Sequence, residues 1–322
     1  MAQVNVGEII TTTLVNQTGE LANNVENNNA ILSQMKRQGK IKTADGGSMI
    51  VQELDYAENT NAGSYDGYDT LATNQQSVLD YAQYAWKQYY ASVVISGREK
   101  RMNSGDEKVI DLIAARVTNA KRTLRNRISA GMYGDGTGNG GKDITGLAAA
   151  IPTNPTTGTY GGINRVGNPW WQPKLQDPAV TPTSATIQSG TMNPMWVQLV
   201  RDTDKPNLIV TDNIGYQLYE GSLQPQQRFS DAATADAGFE NIKYKTAPVV
   251  LDGGIGGNCP ASTMYFLNTD YLHWRPHQDA NFVPADPESR DPVNQDATVK
   301  IIIFMGNLTC SGQQFQGIAI LT

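Results

Sequence analysis

The sequence predicts an α+β protein, and three observations carry that prediction. The first is a long amphipathic helix, since Val109, Ile113, Val117, Ala120, Leu124 and Ile128 recur at steps of three or four residues. The second is a set of β-prone runs on either side of it, at residues 89–97 and then at 264–267, 299–305 and 315–321. The third is a local alternation in which helical patterns at 193–200 and 212–223 flank the buried-strand pattern Asn207-Leu208-Ile209-Val210-Thr211.

Composition narrows the function classes. A chain of 322 residues can form a sizeable core without staples. Its net charge is −6 and only 17% of its residues are charged, where about 25% is usual. A dedicated nucleic-acid binder, which needs a concentrated basic field, is therefore excluded. Cys259 and Cys310 lie far apart with no CxxC, so a disulfide scaffold and a cysteine zinc site are excluded too. The opening MAQVNVGEII has no basic stretch followed by an apolar one. The most continuous apolar run, 301–305, is far short of the ~20 residues that span a bilayer. The expectation is a protein made and kept in a cytoplasm.

Taken in order, residues 1–45 carry spaced apolar positions at Val6, Ile9, Ile10, Leu14, Leu21, Val25, Leu32 and Met35. A stripe this thin cannot form a core alone, so these helices are expected to lie on something else as an arm. Residues 46–86 read as two extended limbs around a turn-rich tip, Asn59 to Gly67, which makes a long hairpin. The long helix then opens on a capping box, in which Ser104 accepts from the Glu107 amide and Glu107 returns to the cap. Asp106 and Glu107 sit at the positive end of its dipole, with Arg122, Arg125 and Arg127 towards the negative end. About 25 residues of stripe give ~40 Å of helix, ending at the glycine-rich 134–141. Residues 144–260 hold loops and short elements, and the final strands are separated by 307–312.

Several patterns imitate chemistry. Gly136 to Lys142 matches the phosphate-loop pattern GxxxxGK, but Asp143 stands where a hydroxyl should hold magnesium, and the loop follows a helix instead of a strand. His273 and His277, the only histidines, are spaced HxxxH, yet Pro276 interrupts a helix and no glutamate follows His273. They are expected at a surface or an interface. There is no nucleophile elbow. Trp170-Trp171, between Pro169 and Pro173, could stack sugars or bases but reads first as a loop's packing anchor. No catalytic, cofactor or metal site is assigned.

One signal is not local. Between Lys42 and Lys87 every charge is negative: Asp45, Glu53, Asp55, Glu58, Asp66, Asp69 and Asp80. From Lys87 to Arg127 the balance reverses, with Lys87, Arg98, Lys100, Arg101, Lys108, Arg116, Lys121, Arg122, Arg125 and Arg127 against Glu99, Asp106, Glu107 and Asp111. Two solvated faces would look like this, and so would complementary surfaces that meet between copies of the chain. The candidate inter-subunit contacts are Glu53, Asp55, Glu58, Asp66 and Asp69 against Arg116, Lys121, Arg122 and Arg125.

The order of these elements resembles the major capsid protein of tailed bacteriophages, with the Hong Kong 97 phage fold. The wording that carries it is Tyr84-Ala85-Trp86-Lys87 through Ser96-Gly97, Val109-Ile110-Asp111-Leu112, Asp135-Gly136-Thr137 with Gly146-Leu147, and Tyr160-Gly161-Gly162-Ile163-Asn164-Arg165 before Trp170-Trp171. The resemblance implies an N-terminal arm at 1–45, an extended loop at 46–86 and a peripheral domain with its spine helix at 87–145. It further implies an α/β axial domain at 146–262 and strands at 263–322 that return to the peripheral domain. It implies hexamers and pentamers of one chain, closed into an icosahedral shell in the bacterial host cytoplasm. Its expected partners are further copies of itself, a separate scaffolding protein, a portal protein, DNA packaged without sequence specificity, and in some shells a decoration protein; no membrane is involved. Covalently cross-linked members of the family need a lysine on the extended loop, and none occurs between Lys42 and Lys87. The resemblance also leads to the expectation that the arm carries no long extension of the kind that lets some members scaffold themselves. A carbohydrate-binding or tail-associated virion protein is the alternative, resting on the tryptophan pair and the Gly/Asn-rich loops.

Overall fold

The computed structural model describes residues 30–97, 106–223, 241–254, 257–285 and 296–322. The arm pattern of residues 1–29 and the cap residue Ser104 lie outside them. The first described element is helix α1 (Ala30–Arg37), whose apolar stripe buries Ile31, Leu32 and Met35 in the core. The end of the expected arm thus packs on its own subunit. Residues 40–44 continue it as an extended segment.

Next come the two limbs of the hairpin, β1 (Ile50–Asp55) and β2 (Leu79–Tyr84), and then strand β3 (Lys87–Ser96). Alternation in β3 puts Ala91, Val93 and Ile95 on a buried face and leaves Tyr90, Ser92 and Val94 exposed. Helix α2 (Asp106–Tyr133) follows, 28 residues long and thus ~42 Å at 1.5 Å per residue. Its Val117, Ala120, Leu124, Ile128 and Met132 are buried at the predicted spacing.

The middle of the chain holds α3 (Leu147–Ala150), the small hairpin β4 (Thr159–Tyr160) and β5 (Ile163–Asn164), strand β6 (Lys174–Gln176) and helix α4 (Asn193–Leu199). Strand β7 (Leu208–Thr211) has all four residues buried and leads into helix α5 (Asn213–Ser222). Asp212 caps that helix by accepting from the Gly215 amide at 2.9 Å. Strands β8 (Asn241–Tyr244), β9 (Ala247–Leu251), β10 (Thr263–Leu267), β11 (Leu272–Pro284), β12 (Ala297–Cys310) and β13 (Gly317–Ile320) complete the chain.

These strands form one six-stranded sheet, ordered β6-β13-β10-β7-β9-β8, and one three-stranded sheet, ordered β11-β12-β3. The larger sheet is covered on both faces, and period-two alternation sorts its side chains. Ile209, Val249, Met264, Phe266 and Ala319 meet α4 and α5 in one cluster. Leu208, Val210, Val250, Tyr265, Leu267 and Ile318 join the other, which also contains α1, α2, the hairpin root and the three-stranded sheet. A fully buried side chain such as Phe266 anchors this arrangement; cutting it to Ala would cost about 3–5 kcal/mol.

The final strands add detail that the sequence does not show. Of the strands in 263–322, β11 and β12 pair beside β3, whereas β10 and β13 lie inside the six-stranded sheet. Their uniformly apolar runs suit a sheet buried on both faces. Strand β12 does not stop at residue 306 but runs to Cys310, through Asn307. The buried Asn307 side chain is satisfied, donating to the Ala85 carbonyl at 2.9 Å and accepting from the Thr145 amide at 3.0 Å. Strand β11 was not legible at all, since Pro276 and a register shift between Pro276 and Asn281 disguise it. Its outer edge is covered by residues 40–44, with Ile41 opposite Trp274 and Ala44 opposite His277 in a parallel arrangement.

Candidate inter-subunit interface

The hairpin has two parts with different physics. In its root, β1 and β2 pair from Ile50 opposite Tyr84 to Asp55 opposite Leu79. One face, Ile50, Leu54, Ala82 and Tyr84, is buried on the subunit's own core, and the other exposes Val51, Glu53, Leu79 and Tyr81. Tyr84 donates to the Cys310 carbonyl at 2.8 Å, and burial holds its hydroxyl well above the usual tyrosine range. Ala82 and Tyr84 lie against Gly161, where a Cβ would stand 2.9 Å from the Ala82 methyl; the φ of +59° there also favours glycine. Tyr56 stacks on Trp170 at 4.9 Å, and Arg275 donates to the Gln52 side chain at 2.9 Å.

Past Tyr56 the limbs separate. The Tyr56 amide bonds to the Val78 carbonyl at 3.0 Å, and then only side chains join the limbs, Thr60 to Gln76 at 2.8 Å and Asn61 to the Asn74 carbonyl at 2.6 Å. Residues 62–73 are all exposed. Tyr68 is fully exposed, Tyr65 is 68% exposed and Leu71 56%. Asp69 accepts from the Asp66 amide at 2.8 Å, so the tip closes on itself without touching a core.

The basic surface is α2. Arg122 and Arg127 are exposed and Arg125 is half-buried. Arg116 is half-buried and donates to the Val94 carbonyl at 2.8 Å. Lys121 does not belong to this surface: it is 4% exposed, because around the helix it falls between Ile128 and Met132 on the inward arc. It is removed from the candidate contacts. Among the described residues, none forms an ion pair with Glu53, Asp55, Glu58, Arg122 or Arg125. Among the described residues these two sets of opposite charge are not joined to each other.

Between α2 and β3 runs an open groove of about 680 Å³, lined by five consecutive strand residues, Tyr90 to Val94, and by Arg116, Asn119, Ala120 and Thr123. Sequence reasoning missed both this groove and the apolar side chains of the tip. Tyr65, Tyr68 and Leu71 were readable as large residues inside a polar turn, and Tyr90 and Val94 as the outward half of an alternating strand.

The chemical decoys resolve as packing. Gly136 to Lys142 is a tight loop between α2 and α3, with Asn139 and Gly140 at positive φ; the Gly141 carbonyl accepts from Lys87 and the Asp143 carboxylate accepts from Tyr89. Trp171 is buried and donates to the Tyr160 carbonyl at 2.9 Å, while Trp170 is covered by Tyr56, so the pair offers no stacking platform. Of the surface or interface position expected for His273, the surface is corrected: the residue is buried, because β11 turns it inward beside residues 40–44. Burial, aided by Lys42, Arg275 and Lys40, pushes its pKa down to about 4. Cys259 and Cys310 are free thiols, each pushed up to about 12 by burial. No group of three metal-ligating side chains occurs among the described residues, and no described helix is long and apolar enough to cross a membrane.

No family model and no curated protein matches the sequence. Solved structures do. The capsid of cyanophage A-1(L) superimposes with a TM-score of 0.65 at 19% identity, covering 88% of this chain and 90% of that one. The capsid of the native GTA particle gives 0.58 at 12% identity, over 88% and 89% of the two chains. The holo-SrpI encapsulin complex of Synechococcus elongatus PCC 7942 gives 0.56 at 7% identity, over 90% and 87%. The chain has the fold of tailed-phage major capsid proteins, the Hong Kong 97 type, across nearly its whole length.

Proposed function

We propose that this chain is the structural subunit of a phage capsid, assembling as hexamers and pentamers into an icosahedral shell around DNA, without catalytic turnover. The observation that carries the reading is a whole-chain likeness to capsid subunits, with no large part of the fold left over for another task. A long exposed hairpin tip supports it, as do Glu53, Asp55 and Glu58 against Arg122 and Arg125, which form no ion pair among the described residues. In this reading the acidic hairpin of one subunit, with Glu53, Asp55, Glu58, Asp66 and Asp69, lies across the region of Arg116, Arg122 and Arg125 on its neighbour. Each exposed ion pair contributes only about 0–1 kcal/mol, so the contact acts by repetition around each ring. A separate scaffolding protein and a portal protein are the further partners this role requires.

Electron microscopy of the expressed protein tests the proposal. Closed shells, or discs with six-fold projections, are the expected result, and nucleic acid inside particles from infected cells distinguishes a capsid from a compartment with other contents. A small soluble oligomer would contradict the proposal.

A further inference from the structure

Between Glu26 and Asp45 every charged residue is basic: Lys36, Arg37, Lys40 and Lys42. Lys36 and Arg37 close helix α1, where the helix dipole accounts for their sign, but Lys40 and Lys42 lie beyond it in the extended segment that borders β11. The register of that segment sorts its side chains. Ile41 stands opposite Trp274 and both turn to the core, so Lys40 and Lys42 fall on the other side with His273 and Arg275. The layer beneath adds positive charge. His273, more than nine-tenths buried, turns an unpartnered Nδ1 into it, and the buried Nε of Arg275 also has no partner. Burial first, and then Lys42, Arg275 and Lys40, keep the His273 ring neutral, which places those three cations around it. Lys40 pairs with Asp270 at 2.9 Å, whereas Arg37 and Lys42 are exposed and form no ion pair among the described residues.

We propose that this basic strip is the surface the subunit turns to the phosphate backbone of packaged nucleic acid, which it contacts by charge without reading bases. This rests on the shell reading and names the surface that lines the interior. One feature favours phosphates over the acidic hairpin of a second copy. From Lys36 to Thr43 the exposed positions are Lys36, Arg37, Gln38, Gly39, Lys42 and Thr43, with no large apolar side chain among them. A protein interface is anchored by such side chains at its centre, whereas a phosphate contact needs only cations and small polar groups. The strip is also modest. A few cations in a chain of net charge −6 make a weak, salt-sensitive contact, which suits nucleic acid that has to be packed and later released.

Amine footprinting of particles from infected cells tests this. Filled particles and particles emptied of DNA are treated with a trace of an acetylating reagent, and the modified lysines are mapped by mass spectrometry. Lys36 and Lys42 should react about threefold or more faster once the DNA is gone, while the exposed Lys142 and Lys205 change little. Lys36 and Lys42 equally reactive in both particles, or equally protected in both as they would be under another subunit, overturn the strip and leave the shell reading intact. The same rise at all four lysines also overturns the strip. Absence of particles overturns both readings. A second measurement uses the expressed subunit and a short DNA duplex. Binding should not depend on the duplex sequence, and the slope of log affinity against log salt should flatten by about two units in the double variant Arg37→Gln, Lys42→Gln, with the Tm unchanged. No salt-dependent binding by the wild type, or an unchanged slope in the variant, overturns the proposal.

Discussion

The root and the tip of the hairpin are made by one continuous segment, yet they answer to different partners. In the root, alternation places Ile50, Leu54, Ala82 and Tyr84 on a face that the subunit's own core covers. In the tip, residues 62–73 are exposed without exception, and the side chains large enough to anchor anything point at solvent. Stability therefore belongs to the root. In the proposed shell association belongs to the tip, and mutations should separate the two properties cleanly.

The largest effect is expected in the root. Tyr84→Ala empties a buried site and removes the bonds to Cys310, a loss of about 3–5 kcal/mol. Denaturant unfolding should show it directly, and soluble subunit should become scarce. If Tyr84→Ala left the unfolding midpoint unchanged, the root would not be part of the core.

A smaller, acid-dependent effect lies under residues 40–44, the segment that leads into the root. His273 titrates near 4 when folded against an ordinary 6.5, so the native state favours the neutral ring. That contribution is complete above pH 6.5 and declines as the pH falls towards 4, because the unfolded chain takes up the proton first. At pH 5 the loss relative to neutrality should reach up to about 2 kcal/mol. Urea titrations of wild type and His273→Asn at pH 7 and pH 5 check it: the wild type should lose more stability than the variant. Equal losses would show that His273 is not the group responsible.

The exposed charges sharpen the comparison from the other side. Reversing Glu53, Asp55 and Glu58 to Lys should leave subunit stability within about 0.5 kcal/mol, since these are surface positions, but weaken assembly, more at low salt than at high salt. Adding Arg116, Arg122 and Arg125 to Glu in the same chain should restore part of it. Light scattering across a salt series reads both, and a combined variant no better than the first would return the charges to the status of solvated faces. The smallest expected effect is none at all: with no lysine between Lys42 and Lys87, particles boiled in reducing denaturant should run as a single monomer band, and a ladder would contradict that.

What the sequence revealed follows the same division. The long helix was legible because its apolar positions keep one period from Val117 to Ile128, and β7 because Leu208–Thr211 is buried on both sides and needs no alternation. The limbs of the hairpin could be placed from the polar turn between them. Strand β11 could not, because Pro276 and His273 look like interruptions until residues 40–44 are seen covering that edge. By sequence Lys121 reads as a surface charge, since its sign matches its neighbours, and only its angle on the helix puts it inside. The groove was hidden for a related reason. It is built from a strand and a helix separated by residues 97–105, and local spacing carries no information about which faces of two elements stand opposite each other.

The central claim is that the tip serves association and nothing else. It is tested most directly by replacing residues 62–73 with a short Gly-Ser turn and comparing sedimentation velocity and thermal unfolding with the wild type. The account predicts that the variant stays a folded subunit with its Tm within about 2 °C of wild type, while the fast-sedimenting particles disappear. Particles that persist at wild-type abundance, or a subunit that unfolds without its tip, would contradict it.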